Sequence, residues 1–124
     1  MAQPNFIILY VDQPEASAEF YRRLLDCAPV EASPTFALFV LPSGLKLGLW
    51  SRHTVEPAAN GVGGSELVFP VASDAAVDEA CADWRTRGLT ILQPPTTMDF
   101  GRTFVALDPD GHCLRVYAVA EAPQ

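Results

Sequence analysis

The feature that most constrains this chain is an internal repeat, in which one pattern of strand and helix recurs at an offset of 60 residues. Val11, in a strand-like run, falls on Val71 in another, and Leu24, on an apolar helix face, falls on Trp84. A period near half the chain length is typical of two copies of one supersecondary unit. Since neither copy could bury its helix face and its strands alone, we predict one domain built from both.

The first copy is predicted to run strand, helix and three further strands. Phe6–Val11 is rich in β-branched and aromatic residues, which favours a strand. Pro14 stands where a helix can begin, because the first helical turn tolerates its missing N–H, and apolar residues at helical spacing continue to Leu25. A weak strand is placed near Ala28–Glu31, and the Pro42–Gly44 turn joins the two strands of a hairpin.

The second copy repeats this order with clearer boundaries. Ser73 is a good helix N-cap, and Gly88 suits the position just past the end of the same helix. A short strand at 89–92 is predicted to end at the Pro94–Pro95 pair. Asp108–Gly111 is a strong turn signal between the last two strands.

The fold class that follows is α+β, with two βαβββ modules forming an eight-stranded curved sheet that encloses a cleft. A single domain is expected at residues 1–124, with modules at about 5–52 and 65–120 and a linker at 53–64.

The net charge of the sequence argues against two classes of binding partner. The formal net charge of −7 disfavours nucleic acid and anionic membrane surfaces. No apolar run approaches the roughly 20 residues that a membrane helix needs, and the first residues show no secretory signal.

Cys27, Cys81 and Cys113 are widely spaced and odd in number, which argues against a disulfide framework or a zinc site. We expect three buried free thiols and a cytoplasmic location.

Two segments resemble a known family. The run Val11–Tyr21 resembles the strand-then-helix opening of the glyoxalase/bleomycin-resistance/dioxygenase superfamily, also called the vicinal oxygen chelate proteins. The run Phe100–His112, with its Asp-Pro-Asp-Gly-His turn, resembles the closing hairpin of that superfamily. Together with Gly48–Ser51, this hairpin is most similar to the phenazine-antibiotic resistance proteins. The resemblance implies a homodimer that sequesters a planar aromatic antibiotic in a cleft built from both chains.

The same resemblance locates the four positions at which the enzymes of the superfamily hold a divalent metal. In this sequence they are Phe6, roughly Gly48, Glu66 and Arg115. Phe6 and Gly48 offer no donor, and the Arg115 guanidinium stays protonated and repels a cation. Glu66 alone could ligate, whereas a divalent ion needs several ligands. We therefore expect no metal and no cofactor, and a Glu66–Arg115 ion pair instead.

Alternation along the strands predicts which side chains face the cleft. Aromatic residues with a few polar groups are typical of a small-molecule pocket, and Gly48 is expected to leave room beside Trp50 for a flat ring. Arg115 could hold a ligand carboxylate. The predicted ligand-binding residues are Phe6, Tyr10, Gly48, Trp50, Glu66, Met98, Phe100, Arg115 and Tyr117. Structural alternatives stay open: an interface position for Trp50, core positions for Tyr10 and Tyr117, a structural ion pair for Glu66 and Arg115, and packing of the Met98–Phe100 arm on a partner chain.

The function predicted first is a metal-free protein that binds and sequesters a planar aromatic, antibiotic-like molecule, with no catalytic residues. One alternative is a metal-dependent glyoxalase- or dioxygenase-type enzyme. Another is a metal-free lyase or isomerase that uses Glu66 as a general base. Burial raises the pKa of a carboxyl group and a neighbouring Arg115 lowers it, so these effects conflict. Binding is therefore preferred to catalysis.

Overall fold

The computed structural model describes residues 3–59, 61 and 65–119. The chain divides into two compact units, residues 1–62 and 63–124, and each contains one helix and one four-stranded sheet. Each unit has the predicted βαβββ order, so the α+β fold class is confirmed. The eight strands form two four-stranded sheets where the sequence predicted one eight-stranded sheet. Residues 60 and 62–64 of the predicted linker, and residue 120 at the end of the second module, lie outside the described residues.

The first unit consists of β1 (Phe6–Val11), α1 (Pro14–Leu25), β2 (Glu31–Ala32), β3 (Phe36–Val40) and β4 (Lys46–Ser51). The sheet order is β1-β4-β3-β2, with β1 parallel to β4 and the other pairs antiparallel. The helix begins at Pro14, as predicted, and ends where Asp26 adopts a left-handed conformation with φ of 50°. The weak second strand is only two residues long.

The core of the first unit lies between α1 and one face of its sheet. Tyr21 of the helix and Phe39, Leu47 and Leu49 of the sheet are at most 1% exposed. Burial of each such side chain contributes about 1.5–3 kcal/mol. Ile7, which alternation places on the same face, is 38% exposed because it lies near the start of the edge strand β1.

The second unit consists of β5 (Glu66–Pro70), α2 (Asp74–Thr86), β6 (Thr90–Met98), β7 (Gly101–Leu107) and β8 (Cys113–Val119). The sheet order is β5-β8-β7-β6, with β5 parallel to β8. The predicted helix signals are confirmed: the Ser73 hydroxyl accepts a hydrogen bond from the Ala76 N–H at 3.1 Å, and Gly88 has φ of 90°. Among the described residues, no helix combines the length and apolar character that crossing a membrane requires.

The core of the second unit is built around Trp84 of α2. Its ring lies edge-on to Phe69 of β5 at 5.6 Å and to Phe104 of β7 at 5.2 Å between centroids. Phe104 and Val116 are paired across β7 and β8, and both are at most 1% exposed. The helix therefore covers the sheet face to which these residues belong, and the alternate residues form the opposite face.

The predicted end of the second strand of this unit is wrong. β6 continues through Pro94 and Pro95 to Met98, with register shifts between Ile91 and Gln93 and again between Gln93 and Thr96. Proline cannot donate to a sheet ladder, but β6 is an edge strand, and irregular pairing next to the prolines accommodates the missing N–H groups.

The expectation of three buried thiols is also wrong for two of them. Cys81, on α2, is buried, whereas Cys27, just past the end of α1, and Cys113, on the face of β8 away from α2, are half-buried. All three are free cysteines.

Candidate functional site

The face of the second sheet that α2 does not cover carries the polar residues predicted for the ligand site. We call this the open face, defined by Glu66 of β5, Thr103 of β7, and Arg115 and Tyr117 of β8. Thr103 is directly opposite Tyr117 in the β7–β8 register, so alternation places both on one face. Phe100, in the short turn between β6 and β7, adds an aromatic ring at its edge.

The centre of the open face is a bidentate ion pair between Arg115 and Glu66. The Nε of Arg115 donates to both carboxylate oxygens of Glu66, at 2.9 and 3.1 Å, and Nη2 donates to Oε2 at 3.0 Å. The side chains are 21% and 33% exposed, respectively. The ion pair predicted from the sequence is therefore present, in the fork geometry that suits a guanidinium and a carboxylate.

Thr103 fixes the other end of the guanidinium. Its Oγ1 accepts a hydrogen bond from Nη1 of Arg115 at 3.1 Å and donates one to the Val116 carbonyl at 2.8 Å, and the residue is fully buried. Thr103 is absent from the residues predicted from sequence. Period-two alternation along β7 could have found it, because that period places it on the face of Arg115.

Aromatic rings border the ion pair. The Cζ of Arg115 lies 5.7 Å from the centroid of the Phe100 ring, within the range of a cation–π contact. The Phe100 and Tyr117 rings lie 6.3 Å apart at 66°. Met98, on the same hairpin, is 42% exposed, and its sulfur is 3.9 Å from Nε2 of Gln93. The structure thus brings Glu66, Phe100, Arg115 and Tyr117 together.

The first sheet also has a face that α1 does not cover, and it carries the other predicted residues. Phe6 and Tyr10 are 38% and 42% exposed there, and Trp50 is half-buried. The register pairs Tyr10 with Trp50 on neighbouring parallel strands. The Phe6 ring also lies 5.9 Å from the ammonium nitrogen of Lys46.

The space above Gly48 is filled, not open. A Cβ at this position would lie 2.9 Å from Cε1 of Phe6 and 3.1 Å from Cζ of Phe36. Phe36 in turn lies edge-on to Trp50, with centroids 6.1 Å apart. The expectation that Gly48 leaves room for a ligand ring is therefore corrected: the missing side chain admits two rings of the same sheet.

Other polar features of the first unit lie outside the predicted ligand residues. Asp12, just after β1, accepts a hydrogen bond from Nε2 of His53 at 2.6 Å, and Nη2 of Arg52 is 3.7 Å away. The hydrogen bond from His53, assisted by the charge of Arg52, lowers the pKa of Asp12. A surface groove of about 380 Å³ beside α1 is lined by Glu15, Arg22 and neighbouring residues and includes none of the predicted ligand contacts.

The donors at the four family metal positions do not fit a divalent cation. Phe6 and Gly48 provide no ligand atom, and both oxygens of Glu66 already accept hydrogen bonds from Arg115. Within the part of the chain that the structure describes, no three His, Cys, Asp or Glu side chains cluster as metal ligands. Glu66 is the only carboxylate at these positions, and a metal ion that bound it would have to displace the Arg115 guanidinium. That exchange is electrostatically unfavourable.

Comparison with known proteins agrees with this fold. Residues 3–116 match the family model of the Glyoxalase/Bleomycin resistance protein/Dioxygenase superfamily, and the chain belongs to that superfamily. It is 32% identical over 116 residues to the phenazine antibiotic resistance protein EhpR of Enterobacter agglomerans, a match that covers 91% of this chain and 89% of EhpR.

Solved structures that are similar over nearly the whole chain include the following two. The solution structure of protein ATC0852 from Agrobacterium tumefaciens is 60% identical, with a TM-score of 0.90, and the match covers 98% of this chain and all of that one (100%). A glyoxalase/bleomycin resistance protein/dioxygenase from Nocardioides is 26% identical, with a TM-score of 0.82, over 100% of this chain and 87% of that one. The family resemblance predicted from the sequence is thus confirmed.

Proposed function

We propose that this protein binds and sequesters a planar aromatic small molecule of the phenazine type, and that it does so without a metal ion. The observation that carries the proposal is the Arg115–Glu66 pair on the open face, bordered by the rings of Phe100 and Tyr117. A guanidinium takes the place that a metal has in the enzymes of the superfamily. Aromatic rings beside oriented polar groups are what a ligand of this shape needs.

The ligand is held by stacking and by hydrogen bonds to the guanidinium. Each aromatic pair contributes about 0.5–1.5 kcal/mol beyond the burial of apolar area. A hydrogen bond to a charged group contributes about 1.5–3 kcal/mol. Phe6, Tyr10 and Trp50 of the first sheet, and Met98 of the second, remain predicted contributors to the ligand site.

Similarity to a relative supports the proposed ligand class. The name of EhpR describes resistance to a phenazine antibiotic, and this chain is 32% identical to it over most of its length. By that similarity, sequestration of the antibiotic is the proposed biological role. We further propose that the protein is a homodimer and acts in the cytoplasm, where its three free thiols would stay reduced.

Catalysis is the competing proposal. A metal-dependent reaction would need Glu66 as a ligand, and a metal-free one would need it as a base. In both cases the carboxylate must exchange the hydrogen bonds that it accepts from Arg115. Binding requires no such exchange, and for that reason we prefer it.

A fluorescence titration tests the proposal, because the two tryptophans have different surroundings. Trp84, on the side of α2 that packs against its sheet, is 8% exposed, whereas Trp50 is half-buried on the uncovered face of the first sheet. Phenazine added to the wild-type protein in EDTA is expected to quench emission saturably, with a weaker affinity in the Arg115→Ala variant. A Trp50→Phe variant, which leaves only Trp84, should lose most of the quenching. Emission that does not change across a panel of planar aromatics would refute the proposal.

A further inference from the structure

The ion pair on the open face is electrically balanced. Arg115 contributes one positive charge, and Glu66 compensates it at hydrogen-bond distance through both of its carboxylate oxygens. No further cation is needed to balance Glu66 and no further anion to balance Arg115. A ligand that approaches this pair therefore meets a polar surface with no net charge, on a protein whose formal net charge is −7.

The guanidinium nevertheless keeps hydrogen-bonding capacity. Of the five N–H groups of an arginine, the bonds to Glu66 and Thr103 occupy Nε–H, one N–H of Nη1 and one of Nη2. Among the described residues, the remaining N–H on each terminal nitrogen has no acceptor. These two groups can donate to an oxygen or a ring nitrogen of a bound molecule.

A carboxylate ligand suits this arrangement poorly. It would accept the same N–H groups, but its charge would lie within a few ångströms of Glu66, and like charges in a partly desolvated site repel strongly. The side chains of Arg115 and Glu66 are only 21% and 33% exposed, so solvent screens this repulsion incompletely. A neutral acceptor, such as a carboxamide, a quinone-like carbonyl or a ring nitrogen, gains the hydrogen bonds without the repulsion.

We infer that Glu66 is a specificity-determining residue, which makes the site select neutral planar aromatics with a hydrogen-bond acceptor over their carboxylated counterparts. This inference rests on the proposed binding function and refines it. It also replaces the expectation that Arg115 holds a ligand carboxylate. Arg115 is the donor, Thr103 orients it, and Glu66 sets the charge that the ligand must have.

The test compares two probes that differ in one group, phenazine-1-carboxamide and phenazine-1-carboxylate, by calorimetric titration at neutral pH. The wild-type protein is expected to bind the carboxamide at least tenfold more tightly, a difference of about 1.4 kcal/mol. The Glu66→Gln variant keeps an oxygen that can accept from Arg115 but removes the negative charge. We expect it to reverse the preference, so that the carboxylate binds about tenfold more tightly than the carboxamide.

Glu79→Gln is the matched control, since it makes the same chemical change on α2, the helix that covers the opposite face of the sheet. It should retain the wild-type preference, which separates a local effect from the loss of one charge anywhere on the protein. Circular dichroism of each variant checks the fold, and the wild-type preference tests the inference even if Glu66→Gln does not fold.

The two proposals fail differently. If the wild-type protein binds both probes and the carboxylate binds as tightly or more tightly, the inference is overturned and the binding function stands. An unchanged preference in folded Glu66→Gln also overturns the role of Glu66. If neither probe binds the wild-type protein, the proposed phenazine-type function fails together with the inference.

Discussion

Adding one methyl group at Gly48 tests how the first sheet is packed. The new Cβ of a Gly48→Ala variant would lie 2.9 Å from Cε1 of Phe6 and 3.1 Å from Cζ of Phe36. Optimal carbon–carbon contacts are about 3.5–4.0 Å, so one or both rings must move. Phe6, at 38% exposed, has room to rotate outward, whereas Phe36 is half-buried and lies against Trp50.

The expected loss of stability follows from two opposing effects. Overpacking of a filled site costs about 1–3 kcal/mol. Replacing glycine by alanine in a strand returns about 0.5–1 kcal/mol, because the unfolded chain has less conformational entropy to lose. Gly48 is not among the residues with positive φ, so its backbone conformation is open to alanine. With the middle of each range, the net expectation for Gly48→Ala is a loss of about 1 kcal/mol.

Urea unfolding followed by circular dichroism measures this loss as a lower midpoint at an unchanged slope. A double-mutant cycle with Phe6→Leu supplies the control, because leucine lacks the ring atom that comes closest to the new methyl group. The penalty of Gly48→Ala should be smaller in that background. If Gly48→Ala is as stable as the wild type, the space beside Trp50 is open and the packing described above is wrong.

Three further predictions concern the two helices. Ser73→Ala removes the hydrogen bond to the Ala76 N–H and should cost about 1 kcal/mol in urea unfolding, while an unchanged midpoint would show that the cap does not contribute. Trp84→Ala opens a cavity between α2 and its sheet and should cost about 3–5 kcal/mol; a loss under 1 kcal/mol would contradict the core assignment. The hydrogen bond from Arg22 lowers the pKa of Glu19 from 4.5 to about 2, so the stabilisation from this pair is present above pH 4.5 and is lost as the pH falls toward 2. NMR titration of the Glu19 carboxyl should give that low midpoint, and Arg22→Gln should move it toward 4.5.

Most of the fold could be predicted from the sequence because its signals are local. The repeat, the proline at the start of α1, the Ser73 cap and the Asp108–Gly111 turn each depend on a few neighbouring residues. The exception is β6, where a proline pair looks like a strand end. Proline is tolerated on an edge strand, but whether a strand is at an edge depends on the sheet order, which the local sequence does not contain.

The candidate site could be predicted only in part, because some of its contacts also depend on how the strands pair. Alternation within β8 correctly places Arg115 and Tyr117 on one face, and the family resemblance indicates that Glu66 pairs with Arg115. Alternation along β7 could have placed Thr103 on the open face, but its contact with Arg115 depends on the pairing of β7 with β8. The prediction that Gly48 leaves room for a ligand ring was wrong. A missing side chain leaves space, but the sequence does not say whether a ligand or a neighbouring ring fills it.

The most direct test of metal-free binding is a calorimetric titration of phenazine into the protein after dialysis against EDTA, repeated after addition of Zn²⁺, Mn²⁺ or Ni²⁺. We predict saturable binding in EDTA, an affinity that the metals leave unchanged, and an affinity about tenfold or more weaker in Arg115→Ala. Binding that occurs only after a metal is added, or that is unaffected by Arg115→Ala, would contradict the proposal that the guanidinium takes the place of the metal.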